Sequence, residues 1–260
     1  MRSISLPRWL LVAAFLPCAA AKAEAPPADA RDPHEHAEGY DFANLPKPHA
    51  HQHSFGALRF DRFEHAFLPG ADATLYDLHG WYGTSYERAV VKAEGAFSRG
   101  RLYEARSELL WSHAIAPFWD SQLGVRHDSG AVPDRTWLVF GVEGLAPYWF
   151  DVEATAYLGA AGRSALRLAA SYELLLTQRL ILQPRVEANF YGRRDAALER
   201  GTGLSDAVAG LRLRYEFSRQ FAPYLGVERS GKLGNSAGLV RAAGERAMET
   251  RWVAGVRFWF

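Results

Sequence analysis

Residues 204–217 read LSDAVAGLRLRYEF, and their alternation is the clearest indication of architecture in the chain. Leu211 and Leu213 fall on one face, while Arg212 and Arg214 fall on the other. A period of two over more than ten residues predicts a β-strand with one apolar and one polar face. A soluble sandwich shows the same alternation, but its strands usually have about 5–6 residues, whereas a tilted strand needs about 9–11 to cross a bilayer. The length of the stretch therefore favours a strand that crosses a membrane.

The same alternation recurs in residues 163–174, 180–191 and 251–260. Aromatic residues crowd the ends of the predicted strands, as expected of a girdle at a membrane interface. The residues assigned to this girdle are Trp111, Phe118, Trp119, Tyr148, Trp149, Phe150, Phe221 and Tyr224. Both observations point to a barrel whose outer surface faces lipid.

The predicted connections are of two kinds. Ala116-Pro117-Phe118, Ala146-Pro147-Tyr148 and Ala222-Pro223-Tyr224 share one pattern, which we interpret as a recurring tight turn. Residues 192–203 and 230–249 are long and polar. Short periplasmic turns and longer extracellular loops are typical of outer-membrane proteins. The sequence therefore predicts an all-β fold, a transmembrane antiparallel outer-membrane β-barrel over residues 56–260.

Twelve strands are expected. Eleven can be traced from Ala73 onwards, and residues 57–67, followed by the turn Leu68-Pro69-Gly70, supply one more. A closed single-chain bacterial barrel normally has an even number of strands, and closure leaves no unpaired strand edge in lipid. Ten strands is the alternative, in which the first hairpin only plugs the mouth of the barrel. The predicted strands begin near Ala57, Ala73, Arg88, Leu102, Phe118, Arg135, Phe150, Arg163, Leu180, Leu204, Tyr224 and Arg251.

Residues 1–23 have the basic start, apolar run and small-residue cleavage site of a secretory signal peptide, with cleavage expected near Ala23. A lipoprotein anchor on Cys18 is the rival interpretation, and Pro17 disfavours it. The mature chain then has no cysteine, which excludes a disulfide framework and a Cys-based zinc site. No later segment approaches the roughly 20 apolar residues of a membrane-spanning helix. The protein is expected to be exported to the outer membrane of a Gram-negative bacterium.

Residues 24–55 are predicted to be a disordered histidine-rich tail, because Ala, Pro, Asp, Glu and His dominate and no apolar periodicity appears. His34 and His36 form one cluster, and His49, His51 and His53 form another. Neutral imidazole suits Cu, Zn and Ni, so the two clusters predict metal capture. A solvated spacer is the alternative.

The polar faces of the strands should line the lumen. One interpretation is an interior filled by neutralising Arg–Glu pairs, and the other is a carboxylate-lined path that attracts cations. Acids outnumber bases among the residues assigned to these faces, which favours cation binding. The candidate ligands are Asp77, His79, Glu94, Glu108, Asp120 and Glu143. The whole chain has 30 Lys+Arg against 29 Asp+Glu, and this balance argues against a nucleic-acid partner.

Several motifs resemble the copper resistance protein B family. They include AIAPFWD at 114–120, GLAPYWFD at 144–151, LILQPR at 180–185 and GLRLRYE at 210–216. The similarity runs from about Ala57 to Phe260. It implies an outer-membrane barrel that works with periplasmic copper-handling proteins in copper tolerance. Members often carry a Met- and His-rich N-terminal region, whereas the only methionine expected in the mature chain is Met248, so Cu(II) is favoured over Cu(I) as the bound ion.

The sequence thus predicts a copper resistance protein, not an enzyme, that binds copper through the tail and an acidic lumen and contributes to copper sequestration or transport. Its expected partners are outer-membrane lipid, copper ions and a periplasmic copper-handling protein. An unspecialised small porin is one alternative. An outer-membrane hydrolase is another, and its best candidates are His127 and Asp128, in a turn-like His-Asp-Ser-Gly before Pro133.

Overall fold

The computed structural model describes residues 54–67, 72–98, 100–130, 133–198 and 200–260. The predicted signal peptide, the five histidines of the predicted tail and the predicted turn Leu68-Pro69-Gly70 lie outside these ranges. The strands are β1 Phe55–Phe67, β2 Ala73–Gly83, β3 Glu87–Ser98, β4 Arg101–Ala116, β5 Trp119–Gly130, β6 Arg135–Ala146, β7 Phe150–Gly159, β8 Arg163–Ser171, β9 Leu174–Leu175, β10 Leu180–Tyr191, β11 Gly203–Tyr215, β12 Phe221–Lys232 and β13 Met248–Trp259.

All thirteen strands form one antiparallel sheet that closes on itself. Strands β1 to β8 pair in chain order, β8 pairs with β10, β10 to β13 pair in chain order, and β13 pairs with β1. The two residues of β9 continue β8 along the same neighbour, β10, so the barrel wall has twelve strands. The predicted number is therefore confirmed. The ten-strand alternative is wrong, because β1 and β2 are full members of the wall.

The faces of the strands follow the predicted alternation. In β11, Leu211 is 41% exposed on the outside, whereas its neighbour Arg212 is 4% exposed and faces the lumen. Leu213 and Arg214 repeat the pattern. Large contiguous apolar surfaces are unusual on soluble monomers, and this barrel exposes Leu, Val and aromatic side chains on many of its strands. The outer face is thus suited to lipid.

Five short connections lie at the rim where β1 starts and β13 ends. They are residues 84–86, 117–118, 147–149, 176–179 and 216–220, and we refer to this end as the turn rim. Phe118 and Tyr148 have φ of 72° and 68°, a left-handed conformation that reverses the chain within these turns. Two of the three predicted Ala-Pro-aromatic turns are therefore confirmed.

The prediction of a third turn at Ala222-Pro223-Tyr224 is wrong, since these residues lie within β12. Pro223 is opposite Val256 of β13, and the pairing of β12 with β11 begins only at Tyr224. The missing N–H of proline is tolerated there because no β11 residue is opposite it. Tyr224, which was expected in the aromatic girdle, is buried in the lumen and donates a hydrogen bond to Glu64.

The other end of the barrel, where β1 ends and β2 begins, is called the loop rim. Its described connecting residues are Asp72, Gly100, 133–134, 160–162, 192–198, 200–202 and 233–247. The last of these was expected to be a polar loop, but it contains α1, Gly234–Ala242. This helix packs against β11 and β12 and buries Ser236, Ala237 and Val240. No helix within the described ranges is long and apolar enough to cross a membrane.

Candidate functional site

A cavity of about 970 Å³ occupies the lumen and reaches the turn rim, where Ser85, Tyr86 and Phe118 line it. Nine carboxylates and nine cationic side chains line the cavity, together with His79. The carboxylates are Asp61, Asp77, Glu94, Glu108, Asp120, Glu143, Asp151, Glu153 and Glu173, and the cations are Arg59, Arg62, Arg88, Lys92, Arg106, Arg167, Arg185, Arg212 and Arg257. The expectation that acids outnumber bases in the lumen is therefore wrong for this cavity.

The comparison of acidic and basic residues made from the sequence is wrong mainly because it left out several arginines that line the cavity. Arg62 follows a register shift between Phe60 and Arg62 in the pairing of β1 with β2, and such a shift breaks simple alternation. Arg167 and Arg212 lie on the predicted polar faces, but that count omits them. A closed lumen needs these cations because carboxylates buried without partners are strongly unfavourable.

A layer of ion pairs crosses the middle of the lumen, and we call it the charge layer. Its members are Arg62, Asp77, Glu94, Arg106, Arg167, Arg185 and Glu187. Arg167 of β8 lies 3.3 Å from Glu94 of β3, and Arg185 of β10 lies 3.3 Å from Asp77 of β2. Both contacts join opposite walls of the barrel. Side chains of both signs therefore fill the lumen at this level.

Lys92 links two carboxylates on the wall nearer the turn rim. Its Nζ donates to Glu143 at 2.8 Å, to Glu153 at 3.3 Å and to the Oε1 of Gln122 at 3.1 Å. Glu143 and Glu153 are direct cross-strand neighbours, so their mutual repulsion would be large without the ammonium group. Lys92 thus compensates both of them.

A second buried network joins side chains of β1, β11, β12 and β13. Arg212 donates two hydrogen bonds to Glu64, at 3.0 and 2.7 Å, and one to Glu228 at 2.7 Å. Arg251 also pairs with Glu228, and the Tyr224 hydroxyl donates to Glu64 at 2.9 Å. Glu64, Glu228 and Arg212 are almost completely buried. The Nε and Nη2 of Arg212 each donate to a different oxygen of Glu64. This is a bidentate arginine–carboxylate contact, which is among the stronger kinds of hydrogen-bonded ion pair.

An apolar cluster stands among these charges, which the alternation did not predict. Val90, Leu110, Trp137, Val139 and Tyr157 are buried together. Two of these residues also carry a polar group, and each of these groups donates a hydrogen bond to a carboxylate. The Nε1 of Trp137 donates to Asp128 at 3.0 Å, and the Tyr157 hydroxyl donates to Glu108 at 3.0 Å. Part of the lumen is therefore packed like an ordinary core.

All six candidate ligands of the barrel line the cavity. Asp77, Glu94 and Glu143 contact a cation, as described above, and Asp120 pairs with Arg88. Glu108 accepts the Tyr157 hydrogen bond, and the Nδ1 of His79 lies 3.4 Å from Arg59. Within the described ranges, no three or more His, Cys, Asp or Glu side chains are grouped so that they could hold a metal ion. The tail candidates His34, His36, His49, His51 and His53 lie outside these ranges.

His127 and Asp128 do not form a catalytic pair. They lie in β5 rather than in a turn, and as neighbours on a strand they face opposite sides. His127 is exposed beside Thr136, whereas Asp128 is buried and binds Arg126 at 2.6 Å. The sequence-based candidate for a hydrolase site is therefore wrong, since strand geometry separates the two groups.

The closed twelve-stranded wall, the apolar exterior and the charged lumen together define an outer-membrane β-barrel. Residues 54–260 match the family described as "Copper resistance protein B precursor", and the chain belongs to this family. The family and the fold support a role in copper resistance at the outer membrane and are not those of an enzyme class.

Two curated relatives match most of this chain. This chain is 43% identical over 200 residues to the "Copper resistance protein B homolog" of Pseudomonas syringae pv. tomato, and the match covers 77% of this chain and 68% of the relative. It is 39% identical over 220 residues to the "Copper resistance protein B" of Escherichia coli, covering 84% of this chain and 74% of the relative.

Solved structures similar to this chain include two porins. The first is "KdgM porin", with a TM-score of 0.47 and 13% identity over 78% of this chain and 99% of that chain. The second is "NanC porin structure in rhombohedral crystal form", with a TM-score of 0.49 and 11% identity over the same shares.

Proposed function

We propose that this barrel contributes to copper resistance by capturing Cu(II) at its periplasmic end through the histidine-rich segment that precedes β1. The observation that carries the proposal is that β1 begins at the turn rim, which the cavity also reaches. His53 precedes the first residue of β1, Phe55, by two positions, so their Cα atoms are at most about 7.6 Å apart. The cavity reaches the same turn rim, and short turns mark the periplasmic side of such barrels. The described chain therefore begins at the end of the barrel that is proposed to be periplasmic.

The choice of ion rests on the family and on ligand chemistry. The family is one of copper resistance, and imidazole is the ligand type that the segment supplies in quantity. Thioether ligands for Cu(I) are scarce, because Met248 is the only methionine after the first residue. Cu(II) held by His34, His36, His49, His51 and His53 is therefore the proposed bound species.

Sequestration is favoured over passage through the barrel. The charge layer joins opposite walls, and Arg167 within it is 6% exposed, so a hydrated cation meets paired side chains there. Passage would require these pairs to separate. The same observation disfavours the unspecialised porin, which needs a water-filled channel. A periplasmic copper-handling protein is the proposed partner at the turn rim, and the signal peptide is proposed to be cleaved near Ala23 during export.

The test is a copper titration of the mature protein with the five tail histidines replaced by Ala. We expect most Cu(II) binding to be lost while the barrel stays folded, because the substitutions precede every described strand. In the parent protein, binding should weaken between pH 7.5 and pH 5.5. The reference pKa of imidazole is about 6.5, and protonated imidazole cannot ligate a metal.

The matched control replaces the outward-facing barrel histidines His65, His113 and His127 by Ala, which should leave copper binding unchanged. Equal copper stoichiometry and affinity in the parent and the five-histidine variant would refute capture by the tail. Such a result would direct attention to the lumen.

A further inference from the structure

Three polar side chains form a continuous row on the inner wall, and we call it the donor row. Arg88 of β3 is the cross-strand neighbour of Ser112 of β4, which in turn is the neighbour of Gln122 of β5. Cross-strand neighbours have Cβ atoms about 4.5–5.5 Å apart. The row therefore extends over about 10 Å of the lumen wall. Arg88 and Ser112 line the cavity.

Each member of the donor row has a buried polar atom without a partner among the described residues. These atoms are the Nε of Arg88, the Oγ of Ser112 and the Nε2 of Gln122. Ser112 is 1% exposed and Gln122 is 4% exposed. Buried polar atoms in native proteins nearly always have a hydrogen-bond partner. Three neighbouring side chains with unpartnered buried atoms indicate that a bound group from outside the chain supplies the hydrogen-bond acceptor.

One further polar atom of Arg88 and one of Gln122 have partners. The Nη2 of Arg88 pairs with Asp120, and the Oε1 of Gln122 accepts from Lys92 at 3.1 Å. These bonds fix the orientation of the guanidinium and amide groups. What each side chain leaves free is an N–H donor, and the Ser112 hydroxyl between them is able to donate as well. The row thus presents donors and no fixed acceptor.

We propose that the donor row binds the carboxylate group of a small monocarboxylic acid that enters the cavity from the turn rim. A carboxylate has about four lone-pair sites on two oxygens, enough to accept from all three donors. Its charge strengthens each hydrogen bond. The row suits a metal cation poorly, since two of its three free groups are N–H donors without a lone pair. The proposal is independent of copper capture by the tail.

The surrounding charges select a monoanion. The lining of the cavity is balanced, with nine groups of each sign, so one negative charge meets no net repulsion. Glu143 and Glu153 lie beside the row through their shared contact with Lys92, and they disfavour a phosphate or a dicarboxylate. Specific donors in a neutral cavity therefore favour one carboxylate.

The experiment uses ¹³C-acetate as the probe and the folded, copper-free protein in detergent micelles, with binding followed by saturation-transfer NMR. The double variant Ser112→Ala/Gln122→Met removes two donors and should weaken acetate binding at least tenfold, as expected for the loss of bonds to a charged group. Ser107→Ala is the matched control on β4. Ser107 is exposed and its neighbour Glu108 is buried, so it faces outwards, and the control should bind as the parent does.

Three results would overturn the proposal. One is acetate binding by the double variant equal to that of the parent, which would place the anion elsewhere in the cavity. Another is no acetate binding by the parent, which would mean that the row holds ordered water only. Equal displacement of acetate by chloride would also reject the assignment to a carboxylate. If the double variant fails to fold, Arg88→Lys removes the Nε donor, keeps the charge beside Asp120, and should also weaken binding.

Discussion

At the scale of single residues, Glu94 and Glu108 are both lumenal carboxylates on adjacent strands, yet their surroundings differ. Glu94 contacts Arg106 at 2.5 Å, Arg167 at 3.3 Å and Arg62 at 3.6 Å. The hydrogen bond of Glu108 comes instead from the neutral hydroxyl of Tyr157. Charge removal therefore leaves Arg106 without a carboxylate partner among the described residues in the first case, and it keeps a hydrogen-bond acceptor in the second.

This contrast predicts different costs for the same substitution. Glu94→Gln should lower the free energy of unfolding by about 3–5 kcal/mol, the usual cost of leaving a buried charge without its partner. Glu108→Gln should lower it by less than about 1.5 kcal/mol, because the amide oxygen still accepts from Tyr157. Urea unfolding in micelles measures both values.

The Gln variants also test whether lumenal carboxylates hold copper. Under the proposal of capture by the tail, the folded fractions of Glu94→Gln, Glu108→Gln and Glu143→Gln should bind as much copper as the parent. Reduced copper in a fully folded variant would instead assign a metal site to the lumen. Similar unfolding energies for Glu94→Gln and Glu108→Gln would contradict the described pairing of Glu94.

At the scale of elements, the seam between β1 and β13 completes the wall. Phe260 and Leu58 exchange two backbone hydrogen bonds, at 2.9 and 3.1 Å, and Phe60 stacks on Phe258 with ring centroids 4.5 Å apart. The Nε1 of Trp259 donates to the carbonyl of Arg219 in the last turn of the turn rim. The final two residues are thus hydrogen-bonded to β1 on one side and to the turn before β12 on the other.

Deleting Trp259 and Phe260 should therefore impair membrane insertion, because the truncated seam leaves backbone groups of β1 unpaired in lipid. Heat-modifiable electrophoretic mobility of outer-membrane fractions reports the folded barrel. Phe260→Tyr keeps the backbone and the aromatic ring and should fold normally. Normal folding of the truncated protein would show that these last pairs are dispensable.

The same elements explain which parts of the fold could be predicted. Residues 207–215 of β11 keep strict alternation because lipid and lumen impose opposite demands on successive residues, whereas the pairing of β11 with β10 shifts register between Asn189 and Phe190. The alternation fails where geometry changes locally, as at the register shift after Phe60. Helix α1 escaped prediction because its buried side chains include the small residues Ser236 and Ala237, which also suit a loop.

The candidate site was less predictable than the wall. Alternation places Asp77, Glu94 and Glu143 on the inner wall correctly, but it does not determine which side chains face them across the lumen. Those partners, such as Arg167 and Arg185, are distant in sequence. The donor row was missed because its signal is a set of unpartnered atoms, which only coordinates reveal.

At the scale of the whole molecule, the charge layer should limit ion flow. We expect single-channel conductance of the parent in planar bilayers to be far below that of an open porin. Replacing Glu94 and Arg167 together by Ser should raise it several-fold, since the change removes one cross-lumen contact and keeps the net charge of the layer. Arg229→Ser, on the exposed outer face of β12, is the control. A parent that already conducts freely would contradict sequestration as the favoured role.

The cross-lumen contacts also bear on the order in which the protein assembles. Asp77 and Arg185 are separated by 108 positions, and Glu64 and Tyr224 by 160. Contacts of such high sequence separation form slowly, because a long loop must close first. Hairpins of neighbouring strands are local and are expected to form earlier. The stabilising interactions of the interior therefore become available only when the opposite walls have met, which should make the closing step of folding steeply cooperative and slow relative to hairpin formation.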